Sequence, residues 1–226
     1  MLDIYRRVAN AKWFDLAAAS PLIIFYLFAT AGMIIKAIPE LRSLVAHFDA
    51  SHVLSIVSQL ATVTFLDVQI VLFVIRYVPR ARAAGFLPRA SAVIGANLQG
   101  CFLLLPSAER GTAVNILSLV LIIAGTAASA YVASCLGRSF SVLPQARSLR
   151  TSGPYRFVRH PLYLAEQTAM LGLMFQFAAP WSLLVAAASV AAQFPRMHFE
   201  EEVLKTTFPA YRDYMKRTAR LIPGIY

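Results

Sequence analysis

Two stretches of the 226-residue chain gather the side chains able to do chemistry. The first, residues 137–163, reads GRSFSVLPQARSLRTSGPYRFVRHPLY. Gly153-Pro154 forces a turn, and Arg156 and Arg159 offer guanidinium forks for a carboxylate or phosphate. Tyr155, Phe157 and Tyr163 offer flat faces that suit an adenine ring or a sulfonium cation. His160-Pro161 then opens a helix, with Pro161 near the first helical position and backbone donors turned toward the loop, an arrangement favourable to a negative group. Positions 160, 163 and 167 share a helix face, so His160, Tyr163 and Gln167 can line one wall. The plainer reading of these cations is that they enforce membrane topology and attract lipid headgroups. The second stretch weighs against it. Arg196, the run Glu200-Glu201-Glu202, Leu204, Phe208, Tyr211 and Tyr214 predict an amphipathic helix, and three adjacent acids beside an anionic leaflet are unfavourable unless cations meet them. Arg196 and Glu200 lie four residues apart, either as an exposed pair worth about 0.3–0.5 kcal/mol or as a pocket wall.

The elements that must position these groups are membrane helices. Hydrophobic residues make up 58% of the chain and charged ones 14%, against roughly 25% charged in a soluble domain, and the mean hydropathy is +0.63. The formal charge of +10 could serve nucleic acid or an anionic leaflet, and apolar runs this long favour the membrane. Stretches 17–38, 53–78 and 113–136 reach the length of about 20 residues needed to span the hydrocarbon. Shorter ones lie at 91–106, 162–179 and 181–195, the last two forming a hairpin broken at Pro180-Trp181. With six spans, every Lys and Arg of the 21 except Lys36, Arg42 and Arg110 falls on one side, which places both termini and the 137–161 loop in the cytoplasm. The expected architecture is all-α and polytopic, with about six transmembrane helices including the C-terminal hairpin, followed by the amphipathic tail helix. It forms a single integral-membrane domain over 1–226, with N-terminal spans to 112 and a core at 113–226. Asp67 with Gln69, and Glu166 with Gln167, are the polar residues within spans. Cys101 and Cys135 sit in apolar stretches as small hydrophobes, so neither a disulfide framework nor a metal site is expected, and no removable signal peptide is visible.

The run Gly153-Pro154-Tyr155-Arg156, then Arg159-His160-Pro161-Leu162-Tyr163, a hairpin, and Glu200-Glu201 with Leu204, Phe208, Tyr211 and Tyr214, resembles the integral-membrane methyltransferases typified by isoprenylcysteine carboxyl methyltransferase, with phospholipid N-methyltransferases as relatives. The likeness covers about residues 137–226, including Leu-Gly-Arg-Ser-Phe at 136–140, with Ala165 where the family often has Gly and Phe208-Pro209-Ala210 in place of a Phe-Gly turn. The resemblance implies S-adenosylmethionine held in a pocket formed by 137–163 and 196–226, near the cytoplasmic surface. A lipid or lipidated acceptor would enter from the bilayer, with no nucleic acid and no obligate protein partner. It implies Arg159 and His160 for the cofactor carboxylate, Tyr155 and Tyr163 for adenosine or sulfonium, and Glu200 or Glu201 for the ribose or amino group. Arg196 would orient a carboxylate acceptor, and Glu200 would serve as base toward an amine. Such a transfer is an in-line displacement that depends on positioning and electrostatics. The favoured acceptor is of the isoprenylcysteine carboxylate type, then a phospholipid amine, in a bacterial inner membrane or endoplasmic reticulum. The motif pair is also similar to that of sterol reductases, which bind a nicotinamide dinucleotide, and a small transporter or lipid-binding membrane protein is the non-enzymatic alternative.

Overall fold

The computed structural model describes residues 12–46 and 50–224, so Arg6, Arg7 and the two C-terminal residues lie outside the described residues. In chain order come α1 (Lys12–Ala46), α2 (Ala50–Ile75), the strand β1 (Ala81–Arg82), and α3 (Leu87–Asn97) running into a 3-10 turn (Leu98–Leu104). Next are α4 (Thr112–Leu136), β2 (Gln145–Ala146), a 3-10 turn (Gly153–Arg156), α5 (Pro161–Met174), α6 (Trp181–Thr207) and α7 (Ala210–Arg217). Among the described residues, three helical segments are long and apolar enough to cross a membrane: Lys12–Arg42, His52–Ile75 and Thr112–Ser139. They match the three long apolar stretches. Phe28 and Ile35 on α1 are 75% and 68% exposed. Water penalises apolar surface of that size and lipid does not.

The shorter stretches fold differently from a set of uniform spans. The 91–106 run becomes eleven residues of α3 and seven of 3-10 turn, and α3 by itself covers about 16 Å, roughly half the hydrocarbon core. Where α3 gives way to the 3-10 turn, the Asn97 amide donates back to the Val93 carbonyl at 2.8 Å. α5 stops at Met174 because the chain after it pairs with the 106–110 segment: the Ala108 N–H donates to the Gln176 carbonyl at 2.9 Å and the Ala178 N–H to Pro106 at 3.0 Å. Arg110 closes this end by donating to the carbonyls of Phe175 and Phe177, each at 3.2 Å. α6 begins at Trp181, directly after the Pro180 break, and continues through Pro195 and the three glutamates to Thr207. The tail is therefore partly the same helix rather than a separate one, and Pro209 divides it from α7 by holding Phe208 in extended backbone.

α5 packs most extensively on α4, α4 on α2, and α2 on α1. The α4–α5 crossing is close because glycines form it: a Cβ at Gly125 would lie 2.2 Å from the Ala169 nitrogen, and one at Gly172 would lie 2.6 Å from the Ser118 carbonyl oxygen. The Ser118 hydroxyl donates to the Gly172 carbonyl there at 2.8 Å. Ala19, Tyr26, Leu72, Phe73, Ala133 and Phe140 bury together where α1, α2 and α4 meet. Beyond the helix ends, β1 pairs antiparallel with β2 in the register Ala81↔Ala146 and Arg82↔Gln145, tying the 79–90 loop to the 137–161 loop.

Candidate functional site

The two chemistry-bearing stretches, some forty residues apart in sequence, meet in one cleft. Gly153 at φ +63° makes the turn before the Gly153–Arg156 element. That turn delivers a buried Tyr155, whose carbonyl accepts a hydrogen bond from the Tyr214 hydroxyl. The next residues lie along the end of the chain: the Arg159 N–H donates to Ala219 at 2.8 Å and the His160 N–H to Arg220 at 3.1 Å. Pro161 occupies the first turn of α5, and His160, as its N-cap residue, points into the junction with α6.

Glu201 is the hub of that junction. Its Oε1 accepts from Arg159 Nε at 2.9 Å and lies 3.0 Å from His160 Nε2, while Arg220 contacts both carboxylate oxygens at 3.1–3.2 Å. Burial disfavours the charged carboxylate, yet hydrogen bonds from His160 and Arg159 outweigh that and hold its pKa near 2. Arg159 thus spends its Nε–H on an internal carboxylate, and its NH1 group donates to the carbonyls of Met215 and Thr218. Glu200 accepts from the Tyr163 hydroxyl at 2.7 Å and stands 4.0 Å from His160 Nδ1. The His160 and Tyr163 rings stack at 5.2 Å with an interplanar angle of 3°.

Arg196 and Glu200, four apart on α6, do not simply pair with each other. The Arg196 guanidinium lies 4.5 Å from the Tyr163 ring centroid, donates from NH1 to Gln193 Oε1 at 2.7 Å, and approaches Glu166 at 4.0 Å. Its Nε is buried without a hydrogen-bond partner. The stem of Arg196 crosses α3 at Gly95, where an added Cβ would be 2.4 Å from the arginine Cδ. All seven singled-out residues, Tyr155, Arg159, His160, Tyr163, Arg196, Glu200 and Glu201, are therefore linked through direct contacts or the cleft they border.

That cleft is lined by Tyr155, Arg159, His160, Glu200, Tyr211 and Tyr214 on one side, and by Ser148, Arg150 and Arg147 on the other. The Tyr211 hydroxyl and Arg147 Nε are buried there without hydrogen-bond partners. Burial raises the pKa of the Tyr155 and Tyr211 phenols, so both remain neutral. This donor set fits S-adenosylmethionine: aromatic faces for adenine and sulfonium, the half-buried Glu200 for hydroxyl or ammonium hydrogens, and unused N–H and O–H donors for a carboxylate. Among the described residues, no group of three or more His, Cys, Asp or Glu side chains is placed to hold a metal ion.

Sequence reasoning missed the supporting shell. Arg220 carried no signal beyond its positive charge. Glu166 did carry one, as an ionisable residue in an apolar run, and it proves to face Arg196. A second buried cluster was invisible: Asp15 at the start of α1 accepts from Arg76 Nε at 2.7 Å and pairs with Arg147 NH2 at 2.9 Å. Arg147 belongs to the loop that lines the cleft, so α1 is anchored to the site across 132 positions of sequence.

Helices long and apolar enough to span a membrane end at a polar cleft, and comparison with known proteins finds what the chain is similar to. The phospholipid methyltransferase family model matches residues 109–210, from just before α4 through the Gly153–Tyr163 motif and Glu200-Glu201 to just short of Tyr211, and it is the membrane methyltransferase family that the motif pair resembles. The chain is also similar to the cobalt-zinc-cadmium resistance protein CzcN of Cupriavidus metallidurans, 33% identical over 79 residues, which is 34% of this chain and 37% of that protein. It is similar as well to the nickel-cobalt-cadmium resistance protein NccN of Alcaligenes xylosoxydans xylosoxydans, 30% identical over 82 residues, or 36% and 38% of the two chains. The matched stretches span little more than a third of either relative.

Proposed function

We propose that the protein transfers a methyl group from S-adenosylmethionine to a lipid-like acceptor embedded in the membrane, at a cleft facing the cytoplasm. The observation carrying this reading is the convergence of the 153–163 segment and α6 on one cleft, where Tyr163 touches both Glu200 and Arg196. When bound, the sulfonium cofactor supplies an electrophilic methyl group. The chain's own residues bind, orient and exclude water. Glu201 is the internal counterion that fixes Arg159 and His160 at the mouth of α5. Tyr155, Tyr211 and Glu200 surround the adenosine and amino ends, and Arg150 with Arg147 supplies donors to the carboxylate end. This adds to the roles expected of Arg159 and His160, whose side chains already engage Glu201.

Arg196 stands deeper, beside the apolar half of α6, where an acceptor arriving from lipid would meet the cofactor. Its buried, unpartnered Nε is costly in isolation and suits an acceptor oxygen, which supports the isoprenylcysteine carboxylate type ahead of a phospholipid amine. Toward an amine, Glu200 would take the proton. The test is two measurements on the purified full-length protein. S-adenosylmethionine should raise its melting temperature, and label from the methyl group should appear in a lipid extract. A protein with no thermal response and no labelled product would be a lipid-binding scaffold instead.

A further inference from the structure

Glu166 stands apart from the other acids around the site. It lies on α5 one helical turn after Tyr163, largely buried, and its closest approach to Arg196 NH1 is 4.0 Å. Elsewhere arginines close on carboxylates to hydrogen-bond distance: Arg159 on Glu201 at 2.9 Å, and Arg76 and Arg147 on Asp15 at 2.7 and 2.9 Å. Those carboxylates take up donors of their arginines. Glu166 takes up none from Arg196, because 4.0 Å is too long for a hydrogen bond, yet a charge acts strongly across that distance where little water intervenes.

A neutral group anchors Arg196 instead. Its NH1 donates to Gln193 Oε1 at 2.7 Å, and the Gln193 amide nitrogen donates in turn to the carbonyls of Ser189 and Gly95 at 3.3 and 3.4 Å. Glu200, the acid four residues on, is engaged by the Tyr163 hydroxyl. Arg196 is thus held in place with its Nε–H unpartnered and its charge offset by a carboxylate that does not touch it.

The offset matters because methyl transfer to a carboxylate destroys charge. One carboxylate oxygen forms the O–CH3 bond as the S–CH3 bond breaks with its electron pair left on sulfur, so an anion and a cation become a neutral ester and a neutral thioether. An arginine therefore grips such an acceptor more strongly before transfer than in the transition state, and a stronger grip of that kind raises the barrier. A nearby counter-charge weakens the grip and leaves the direction of the Nε–H intact.

We infer that Glu166 is a positioning residue that tempers Arg196 toward a carboxylate acceptor, an inference that rests on Arg196 being the acceptor's partner. The probes are N-acetyl-S-farnesylcysteine, which carries the carboxylate, and its methyl ester, which does not, with the full-length protein in detergent. In calorimetry without cofactor, Glu166→Gln should bind the acid about tenfold more tightly than wild type does and the ester with unchanged affinity. Glu166→Ala should match it, since both remove the charge, and Glu166→Asp, which keeps the charge, should follow wild type. In turnover with S-adenosylmethionine, Glu166→Gln should lower KM for the acid about tenfold and kcat about threefold, because part of the carboxylate charge persists in the transition state. A glutamate with only a structural role would raise KM in all three variants. That result, unchanged acid-to-ester selectivity in Glu166→Gln and Glu166→Ala, or tightened acid binding in Glu166→Asp would overturn the inference while wild-type turnover of the acid left the carboxylate reading standing. Wild-type protein that neither binds nor methylates the acid would overturn that reading and this inference with it.

Discussion

Glu201 accepts hydrogen bonds from Arg159 and His160 and faces Arg220, and this explains why three consecutive acids are tolerated at a membrane surface. Its pKa falls from an ordinary 4.5 to about 2 on folding. A carboxylate depressed in the folded state contributes stability above its unfolded pKa, and that contribution disappears as pH falls through the folded value. Melting temperature in detergent should therefore drop between about pH 4.5 and 2, and Glu201→Gln should flatten the decline while melting lower at pH 7. A wild-type decline retained in full by Glu201→Gln would place the acid sensitivity elsewhere. His160 reaches Glu201 through one nitrogen and faces Glu200 through the other. His160→Ala should raise the dissociation constant for S-adenosylmethionine at least about tenfold, the size of one charge-assisted hydrogen bond, as measured by calorimetry on folded protein.

At the scale of elements, α3 matters although it is too short to span the bilayer alone. It gives Arg196 its path: the arginine stem passes over Gly95, and the Gly95 carbonyl faces Gln193 Nε2 at 3.4 Å, the residue whose Oε1 holds the guanidinium. Arg196→Ala should lower turnover, and Gly95→Ala should push Arg196 off Tyr163 and lower it likewise, both with cofactor affinity within about twofold of wild type, since neither residue borders the cofactor cleft. Arg196→Lys should restore turnover only in part, because it keeps the charge and loses the fork. Parallel loss of cofactor affinity in Gly95→Ala would instead show that α3 supports the whole site. The α4–α5 crossing works similarly. Gly172→Ala must displace backbone at Ser118 and should lower stability by roughly 1–3 kcal/mol, read as a fall in melting temperature.

For the whole molecule, the Asp15–Arg147 contact joins the N-terminal helix to the loop around the cleft. Asp15→Asn leaves Arg76 and Arg147 buried together without their counterion, a change expected to cost about 3–5 kcal/mol. Thermal unfolding of that variant should fall accordingly, and limited proteolysis should cut the 141–150 loop sooner. An unaltered melting temperature would mean the pair is not needed to seat the loop. The one-sided charge distribution predicts the orientation. In a background with Cys101 and Cys135 replaced, single cysteines at Ser148 and Arg212 should react with an impermeant reagent only from the cytoplasmic face.

Composition and long apolar runs were enough to define the membrane class and three spanning helices, because a helix in lipid must be apolar over about 20 residues wherever it packs. Local turn chemistry likewise made the Gly153-Pro154 turn, the Pro161 helix start and the Pro180 break legible, since each depends on neighbouring residues alone. The motif pair marked out the residues that gather at the cleft. The short stretches were less readable: whether 91–106 or the end of α5 stays helical depends on hydrogen bonds to a segment far along the chain, such as Arg110 on the carbonyls of Phe175 and Phe177. Partner choice was not readable at all. Arg147 and Arg220 look in sequence like any other topology cation, and only the folded chain brings one to Asp15 and the other to Glu201. Burial then gives those contacts their energetic weight, because an ion pair that is weak in water becomes decisive once its partners have no water to return to.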